Sequence, residues 1–147
     1  MEHSSSSSMR LVYSCTMPVR WGDMDAYGHV NNTLYLRYLE EARVQMLIDM
    51  GEGNIESNEL APVVITVGCT FLRPIGYPND LRIDCYVGEP GRSSFMTYYK
   101  LYTASAPEVV ATEGYAKVVW MNHKTGKSVP LPDSVLHYLT TKRWPAS

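Results

Sequence analysis

The spacing of hydrophobic residues changes along this chain from a helical period to a simple alternation. Between Thr33 and Met50 the apolar positions recur every three or four residues, which predicts one long amphipathic helix that Gly51 ends. We expect Arg43 to lie near Glu40 on the polar side of this helix. The predicted apolar stripe consists of Leu34, Tyr35, Tyr38, Leu39, Ala42, Met46, Leu47 and Met50.

Alternating apolar and polar residues predict one β-strand before the helix and four after it. The first is expected at about Tyr13 to Trp21. The other four are expected at about Val63 to Phe71, Leu81 to Val87, Ser93 to Thr103 and Val109 to Asn122. A half-buried strand is predicted where the odd positions are all apolar, at Val63, Ile65, Val67, Cys69 and Phe71. A short last helix is expected from Pro132 to Leu139.

The order of these elements predicts an α+β domain with two layers. Four consecutive strands indicate an antiparallel, meander-like sheet, and the apolar stripe of the helix must pack on one face of it. We expect a single folded domain over residues 9–147. The serine-rich residues 1–8 are interpreted as a disordered leader or a cloning remnant.

Composition restricts the function further. The net charge of the 147-residue chain is −2, and no basic cluster is present, which argues against nucleic acid as a partner. No apolar run reaches the ~18 residues that a membrane span requires. Three cysteines without C-x-x-C spacing indicate neither a disulfide framework nor a zinc site. We therefore predict a cytoplasmic protein with no membrane partner.

The candidate chemistry is concentrated in the segment from Trp21 to Arg43. Asp23 and Asp25 lie in a turn that contains Gly28, and the pair Asn31-Asn32 opens the predicted helix. The first N–H groups of a helix have no partners inside it. A carboxylate beside them can act as base or nucleophile while they hold a developing oxyanion. Asp25 is the candidate for that carboxylate.

Other interpretations of the same turn remain open at this point. Asp23 and Asp25 can simply bond their own turn, and His29 can be a general base, a ligand contact or a surface group. A calcium loop is excluded because Tyr27 and Leu34 stand where oxygen ligands are needed. A transition-metal site from Asp23, Asp25 and His29 is a minor alternative, and we expect no metal. The G-x-S-x-G pattern of serine hydrolases is absent.

At these residues the chain resembles the 4-hydroxybenzoyl-CoA thioesterase-like branch of the hotdog-fold thioesterases. The matching string is Asp23-x-Asp25-x-x-Gly28-His29-Val30-Asn31-Asn32-x-x-Tyr35, followed by Glu40 and Arg43. Weaker similarities are Phe71-Leu72-Arg73-Pro74, Gly91-Arg92-Ser93-Ser94-Phe95 and Lys124-Thr125-Gly126. The resemblance implies a long central helix wrapped by a five-stranded antiparallel sheet. It also implies a homodimer with sheets joined edge to edge, or a dimer of dimers, and active sites at the dimer interface.

The implied activity is hydrolysis of an acyl-CoA thioester to a free acid and a thiol. Asp25 matches the catalytic aspartate of the family, as nucleophile or general base, and the backbone N–H of Asn32 matches its oxyanion donor. Tyr35 would line the acyl pocket, and the Arg92 segment would meet the coenzyme A phosphates. Substrate contacts are expected from His29, Asn31, Tyr35, Arg92, Ser93 and Ser94. No cofactor is implied, because coenzyme A enters as part of the substrate.

Three other functions are considered. The Arg92 segment lacks a cluster of basic residues, which leaves an acyl-carrier-protein thioester open as the substrate. An enoyl-thioester hydratase would need a Gly-Asp-x-Asn-Pro-x-His run, which is absent. A non-catalytic acyl-thioester-binding protein is the remaining alternative, and tight binding without turnover would distinguish it.

Overall fold

The computed structural model describes residues 9–52 and 59–145, so the predicted leader at residues 1–8 lies outside the described residues. Helix α1 spans Tyr35–Asp49 and α2 spans Asp133–Thr141. The strands are β1 (Arg10–Pro18), β2 (Leu60–Phe71), β3 (Asp80–Val87), β4 (Ser94–Thr103), β5 (Ala106–Asn122) and β6 (Lys127–Ser128). The predicted first strand ran too far, because Trp21–Asp23 forms a 3-10 turn instead.

The strands form one antiparallel sheet in the order β1-β3-β4-β5-β2, and the two-residue β6 pairs with β5. Strands β3, β4 and β5 form the predicted meander. Strand β2 does not join it beside β3; it pairs with β5 at the opposite edge from β1. Helix α1 connects the two edge strands and contacts β1, β2 and β3. The sheet therefore has the long helix across one face, as the resemblance implies.

Helix α1 buries the predicted apolar stripe. Leu39, Ala42 and Met46 are at most 2% exposed. Gly114 of β5 permits this close packing, since a Cβ there would lie 2.5 Å from Leu39 Cδ1. The prediction for Arg43 is wrong: its side chain is 8% exposed and Nη1 donates to the Tyr99 hydroxyl at 3.2 Å. Position 43 is one turn after Leu39, so it lies on the buried side of the helix.

The half-buried alternation predicted for β2 is also wrong in this single chain. A bulge interrupts the pairing between Val64 and Thr66. As a result Val63 pairs with Val119 and Val67 with Ala116, which lie on opposite faces of the sheet. The side chains of Ile65, Val67 and Phe71 are 55%, 41% and 46% exposed. The strand lies at an edge of the sheet and, in residues 9–52 and 59–145, has a neighbouring strand on one side only.

The C-terminal segment covers the other edge of the sheet. The hydroxyl of Tyr138 on α2 donates to Asp49 Oδ2 at the end of α1, at 2.6 Å. After α2, the Trp144 N–H donates to the carbonyl oxygen of Leu11 on β1, at 3.1 Å. Edge β1 is therefore partly capped, whereas no described strand pairs with the outer side of β2. Among residues 9–52 and 59–145, no helix is long and apolar enough to cross a membrane.

Candidate functional site

A tight turn between β1 and α1 presents Asp25. The Asp25 N–H donates to the His29 carbonyl oxygen at 2.7 Å, and the Gly28 N–H donates to the Asp25 carbonyl oxygen at 3.3 Å. Gly28 has a φ of 83°, a conformation that glycine adopts without the steric cost of a side chain. The Val30 N–H then donates to the Ile75 carbonyl oxygen at 2.8 Å. The turn is thus closed internally and attached to the segment after β2.

One oxygen of the Asp25 carboxylate accepts hydrogen bonds from the turn, and the other does not. Its Oδ1 accepts the backbone N–H groups of Tyr27 at 2.8 Å and His29 at 3.2 Å. The turn-bonding interpretation therefore describes Oδ1 correctly. Oδ2 has no hydrogen-bond donor within the described residues, and Asp25 lines a cavity of about 240 Å³. The turn fixes the carboxylate while leaving one oxygen for chemistry.

Asp23 anchors the turn to the helix. Its Oδ2 accepts the Tyr38 hydroxyl at 2.6 Å and the Arg20 Nε–H at 3.1 Å. Its backbone carbonyl oxygen accepts the Asn31 N–H at 2.9 Å. Burial acts to raise the pKa of Asp23, but the hydrogen bonds from Tyr38 and Arg20 outweigh it and leave the pKa below its ordinary value. Asp23 therefore stays ionised and serves as a structural anchor.

The two aspartates do not converge on a common point. The Asp23 carboxylate is bonded to Tyr38 and Arg20, and the Asp25 carboxylate to its own turn. The alternative metal site with His29 is therefore not assembled. In the part of the chain that the structure describes, no group of three or more His, Cys, Asp or Glu side chains could hold a metal ion.

The helix opens with a 3-10 turn over Asn32–Leu34, and α1 itself begins at Tyr35 rather than at the predicted Thr33. The Asn31 side chain caps this turn, because its Oδ1 accepts the Thr33 N–H at 2.9 Å. The Asn32 N–H is left without an acceptor among the described residues. Asn32 lines the same cavity as Asp25. Asn32 thus brings a backbone donor with no acceptor in the described residues to the lining of this cavity.

The remaining walls of the cavity combine apolar and polar groups. Tyr35 packs edge-on against Phe71, with ring centroids 4.8 Å apart. Burial raises the pKa of the Tyr35 hydroxyl, and a backbone hydrogen bond at Ile75 only partly opposes this shift. The side chain is therefore neutral. Val30, Leu72 and Pro74 complete the apolar wall.

Four predicted site residues meet at this cavity: Asp25, His29, Asn32 and Tyr35. Asn31 acts beside it as a cap. The predicted Arg92, Ser93 and Ser94 lie elsewhere, because Ser94 pairs with Val119 of β5 whereas Phe71 pairs with Thr112. At about 3.3 Å per residue, those two points on β5 are separated by about 23 Å. Within one chain the structure does not bring the Arg92 segment to the cavity.

Arg73 is a lining residue that the sequence analysis did not assign to the site. Its only signal in the sequence was its position directly after the apolar strand, in Phe71-Leu72-Arg73-Pro74. The contact depends on the long-range hydrogen bond between Val30 and Ile75, which no local pattern specifies. His29, Asn32 and Arg73 are thus the polar residues that line the cavity together with Asp25.

Comparison with known proteins identifies the family. The model of the thioesterase-like superfamily matches residues 19–139, and the chain belongs to that superfamily. It is similar to the PA2801 protein of Pseudomonas aeruginosa, described as a candidate thioesterase. That structure is 42% identical with a TM-score of 0.81, and the match covers 86% of this chain and 96% of PA2801. The resemblance drawn from the motif is confirmed.

More distant structures share the fold. The DHNA-CoA thioesterase from Staphylococcus aureus is 18% identical with a TM-score of 0.73, over 84% of this chain and 80% of that chain. SAV2348 from Staphylococcus aureus, solved in complex with CoA, is 15% identical with a TM-score of 0.80, over 92% and 90%. The predicted architecture is confirmed: this is the hotdog fold, with a long helix wrapped by an antiparallel sheet.

Proposed function

We propose that this protein hydrolyses acyl-CoA thioesters to a free acid and coenzyme A, with Asp25 as the reacting carboxylate. One observation carries the proposal: Asp25, whose Oδ2 has no donor among the described residues, and Asn32, whose N–H has no acceptor there, line the same cavity. Membership of the thioesterase-like superfamily supports the reaction class. The CoA bound to SAV2348 and the activity named for the DHNA-CoA thioesterase support the substrate class.

In the nucleophilic route, Oδ2 of Asp25 forms a bond to the thioester carbon. The carbonyl electron pair moves to oxygen, where the Asn32 N–H stabilises the negative charge. Collapse of this intermediate breaks the carbon–sulfur bond and releases the thiolate of coenzyme A, leaving a mixed anhydride on Asp25. Water then cleaves the anhydride and restores the carboxylate. A thiolate is a good leaving group, so no strong acid is needed beside it.

In the general-base route, the same oxygen takes a proton from water as the water oxygen attacks the thioester carbon. The tetrahedral intermediate then collapses, the carbon–sulfur bond breaks, and the departing thiolate takes the proton from Asp25, which leaves the free acid and the thiol. The role of Asn32 is unchanged. The two routes differ in their intermediates, because only the nucleophilic route forms an acyl-enzyme. Rapid mixing would detect it as a burst of thiol and as an acyl mass on the peptide that contains Asp25.

The proposal includes a homodimer joined through β2. The exposed apolar side chains Ile65, Val67 and Phe71 lie along the open edge of the sheet, whereas the C-terminal segment covers part of β1. Pairing with a second copy would bury these side chains and satisfy the free edge. Phe71 also lines the Asp25 cavity. A second copy on this edge would therefore border the site.

A dimer would also give the Arg92 segment a role. The pantetheine arm has about a dozen bonds between sulfur and the first phosphate. An extended polypeptide backbone with the same number of bonds spans about 14 Å, and we take this as the length of the arm. That length is shorter than the separation along β5 between the cavity and Ser94 in one chain, about 23 Å. We assign phosphate contact to Arg92, Ser93 and Ser94 of a second copy.

The test is thiol release from short, long and aromatic acyl-CoAs by the wild-type chain and by Asp25→Asn. We expect kcat to fall by at least about 100-fold in the variant, because the neutral amide neither attacks carbon nor accepts the proton of water. Asp133→Asn, in the exposed first turn of α2, makes the same chemical change away from the cavity and should retain full activity.

Each other outcome has a defined meaning. Full hydrolysis by a folded Asp25→Asn would refute the assignment of this carboxylate. If the chain cleaved only acyl-carrier-protein thioesters, the carrier in the proposal would be acyl carrier protein instead of coenzyme A. Tight binding of acyl-CoA with no cleavage by the wild-type chain would refute the hydrolase and favour a binding protein.

A further inference from the structure

The segment after β2 places a cation at the Asp25 cavity. The N–H groups of Leu72 and Arg73 both donate to the Ala111 carbonyl oxygen, each at 3.0 Å. Two residues later, the Ile75 carbonyl oxygen accepts the Val30 N–H of the motif turn. The backbone at Arg73 is therefore attached to β5 on one side and to the turn on the other. Its position beside the cavity is set by hydrogen bonds rather than by an unrestrained loop.

The Arg73 guanidinium has no protein partner in the described residues. The ion pairs there involve Arg20, Arg82, Lys124 and Lys142, and no side-chain hydrogen bond comes from Arg73. A guanidinium presents a planar fork of N–H donors that matches a carboxylate with two parallel hydrogen bonds. An unpaired arginine at a substrate cavity is therefore available to an anionic group of the substrate.

The length of the substrate identifies which anionic group can reach Arg73. When the thioester carbon lies at Asp25, the first phosphate of coenzyme A lies about 14 Å away along the extended pantetheine arm. Arg73 lines the same cavity of about 240 Å³ as Asp25. An anionic group on the acyl part of the substrate would therefore share this cavity with Arg73, whereas the phosphates would lie about 14 Å from the thioester carbon.

Electrostatics explains why an acyl carboxylate would need this arginine. Asp25 is itself an anion, so a second carboxylate in the same small cavity would be repelled. In the lining that the structure describes, Arg73 is the one lysine or arginine residue, and its positive charge would offset that repulsion. Tyr35 and Phe71 meanwhile provide an apolar wall for the body of the acyl group.

We infer that Arg73 is a specificity-determining residue that selects acyl groups carrying a carboxylate. The inference rests on the proposed thioesterase function, since it names the acyl class of that same site. Arg73 binds the distal carboxylate, the apolar wall holds the carbon skeleton, and the thioester carbon lies between Asp25 and the Asn32 N–H.

The test compares thioesters of similar length with and without a distal carboxylate. The pairs are 4-carboxybenzoyl-CoA with 4-methylbenzoyl-CoA, and glutaryl-CoA with hexanoyl-CoA. The wild-type chain should show the higher kcat/KM for the carboxylate member of a pair. Arg73→Gln should lower the ratio of kcat/KM within the pair by about tenfold or more, the effect expected for losing a hydrogen-bonded charge partner. Arg73→Lys should restore part of it.

The matched control is Arg143→Gln, which removes an exposed arginine from the C-terminal segment and should leave the ratio unchanged. A ratio in Arg73→Gln within about twofold of wild type would overturn the inference. Equal losses for both members of a pair would also overturn it, because they would indicate contact with the nucleotide.

A binding measurement separates this inference from the proposed function. The thioethers S-(4-carboxybenzyl)-CoA and S-(4-methylbenzyl)-CoA cannot be hydrolysed, and calorimetry gives their affinities for the wild-type chain and Arg73→Gln. A preference for the carboxylate that Arg73→Gln abolishes supports the inference even if no thioester is cleaved. Absence of cleavage would refute the hydrolase, whereas absence of the preference would refute the role of Arg73.

Discussion

Removal of the Tyr38 hydroxyl should destabilise the turn that presents Asp25. In Tyr38→Phe the aromatic ring and its packing remain, but Asp23 Oδ2 loses the hydrogen bond of 2.6 Å. Tyr38 is 1% exposed and Asp23 is 8% exposed, so water cannot readily replace the donor. A hydrogen bond to a charged group contributes about 1.5–3 kcal/mol. Because Arg20 still donates to the same oxygen at 3.1 Å, we expect a loss of about 2 kcal/mol in the free energy of unfolding at neutral pH.

The loss should depend on pH in a defined direction. The pKa of Asp23 in the folded chain lies below its ordinary value, so its ionised form contributes stability above the unfolded pKa, at about 3.9. That contribution disappears as the pH falls through the lower, folded pKa. Tyr38→Phe moves the folded pKa towards the ordinary value. The difference between wild type and variant should be full at pH 7 and should shrink as the pH falls below about 4.

Urea unfolding followed by circular dichroism measures both effects. The control is Tyr13→Phe, because the Tyr13 hydroxyl donates to the neutral Gln45 Oε1 of the same helix at 3.2 Å. That longer, partly exposed hydrogen bond should contribute less than about 1 kcal/mol, without the acid dependence. If Tyr38→Phe and Tyr13→Phe destabilised the chain equally at pH 7, Asp23 would not be the anchor of the turn.

Three further changes test other parts of the structure. Gly28→Ala should lower the free energy of unfolding in urea by about 1 kcal/mol. The φ of Gly28 is 83° and an added Cβ meets nothing within 4 Å, so the loss comes from backbone strain alone. An unchanged stability would mean that the turn can relax. Asn31→Ala should lower the free energy of unfolding by about 1 kcal/mol, because it removes the side chain that caps Thr33. It should also lower kcat, because the neighbouring N–H of Asn32, the proposed oxyanion donor, is less well held. Thermal unfolding and steady-state kinetics measure these two effects. Val67→Lys should yield monomers in sedimentation velocity with an unchanged circular dichroism spectrum, since it places a charge on the exposed apolar edge of β2; dimers that persist would indicate another interface.

The spacing of hydrophobic residues predicts α1 and most of the strands, because each of these elements packs its apolar side chains against one surface. The apolar stripe from Tyr35 to Met50 faces one sheet, so the helical spacing in the sequence matches the pattern of burial in the structure. Arg43 departs from the pattern because helix geometry, not polarity, determines its direction, and the Tyr99 hydroxyl satisfies one of its donors. A polar residue on a buried face cannot be recognised before its partner on another strand is known.

Strand β2 shows what alternation alone cannot predict. The odd-numbered apolar positions imply one continuous buried face, but the bulge between Val64 and Thr66 shifts the register by one residue. Nor does the order of strands along the chain indicate that β2 pairs with β5 instead of β3. Its exposed side chains retain an apolar pattern because, in our proposal, their partner is a second copy rather than this chain.

The candidate site divides in the same way between local and long-range contacts. Asp25 and Asn32 are seven residues apart, and residue types alone predicted a carboxylate beside the N-terminus of a helix, whereas the choice of the Asn32 N–H came from the family resemblance. Arg73 reaches the same cavity only because Val30 bonds to Ile75 across the fold, and Arg92 fails to reach it because β4 begins at the other end of β5. On the proposed function, the reacting groups therefore depend on one local motif, whereas substrate selection depends on tertiary and quaternary contacts. Relatives that share the motif can then act on different acyl groups, and the acyl class of this chain must be inferred from Arg73 rather than from the turn.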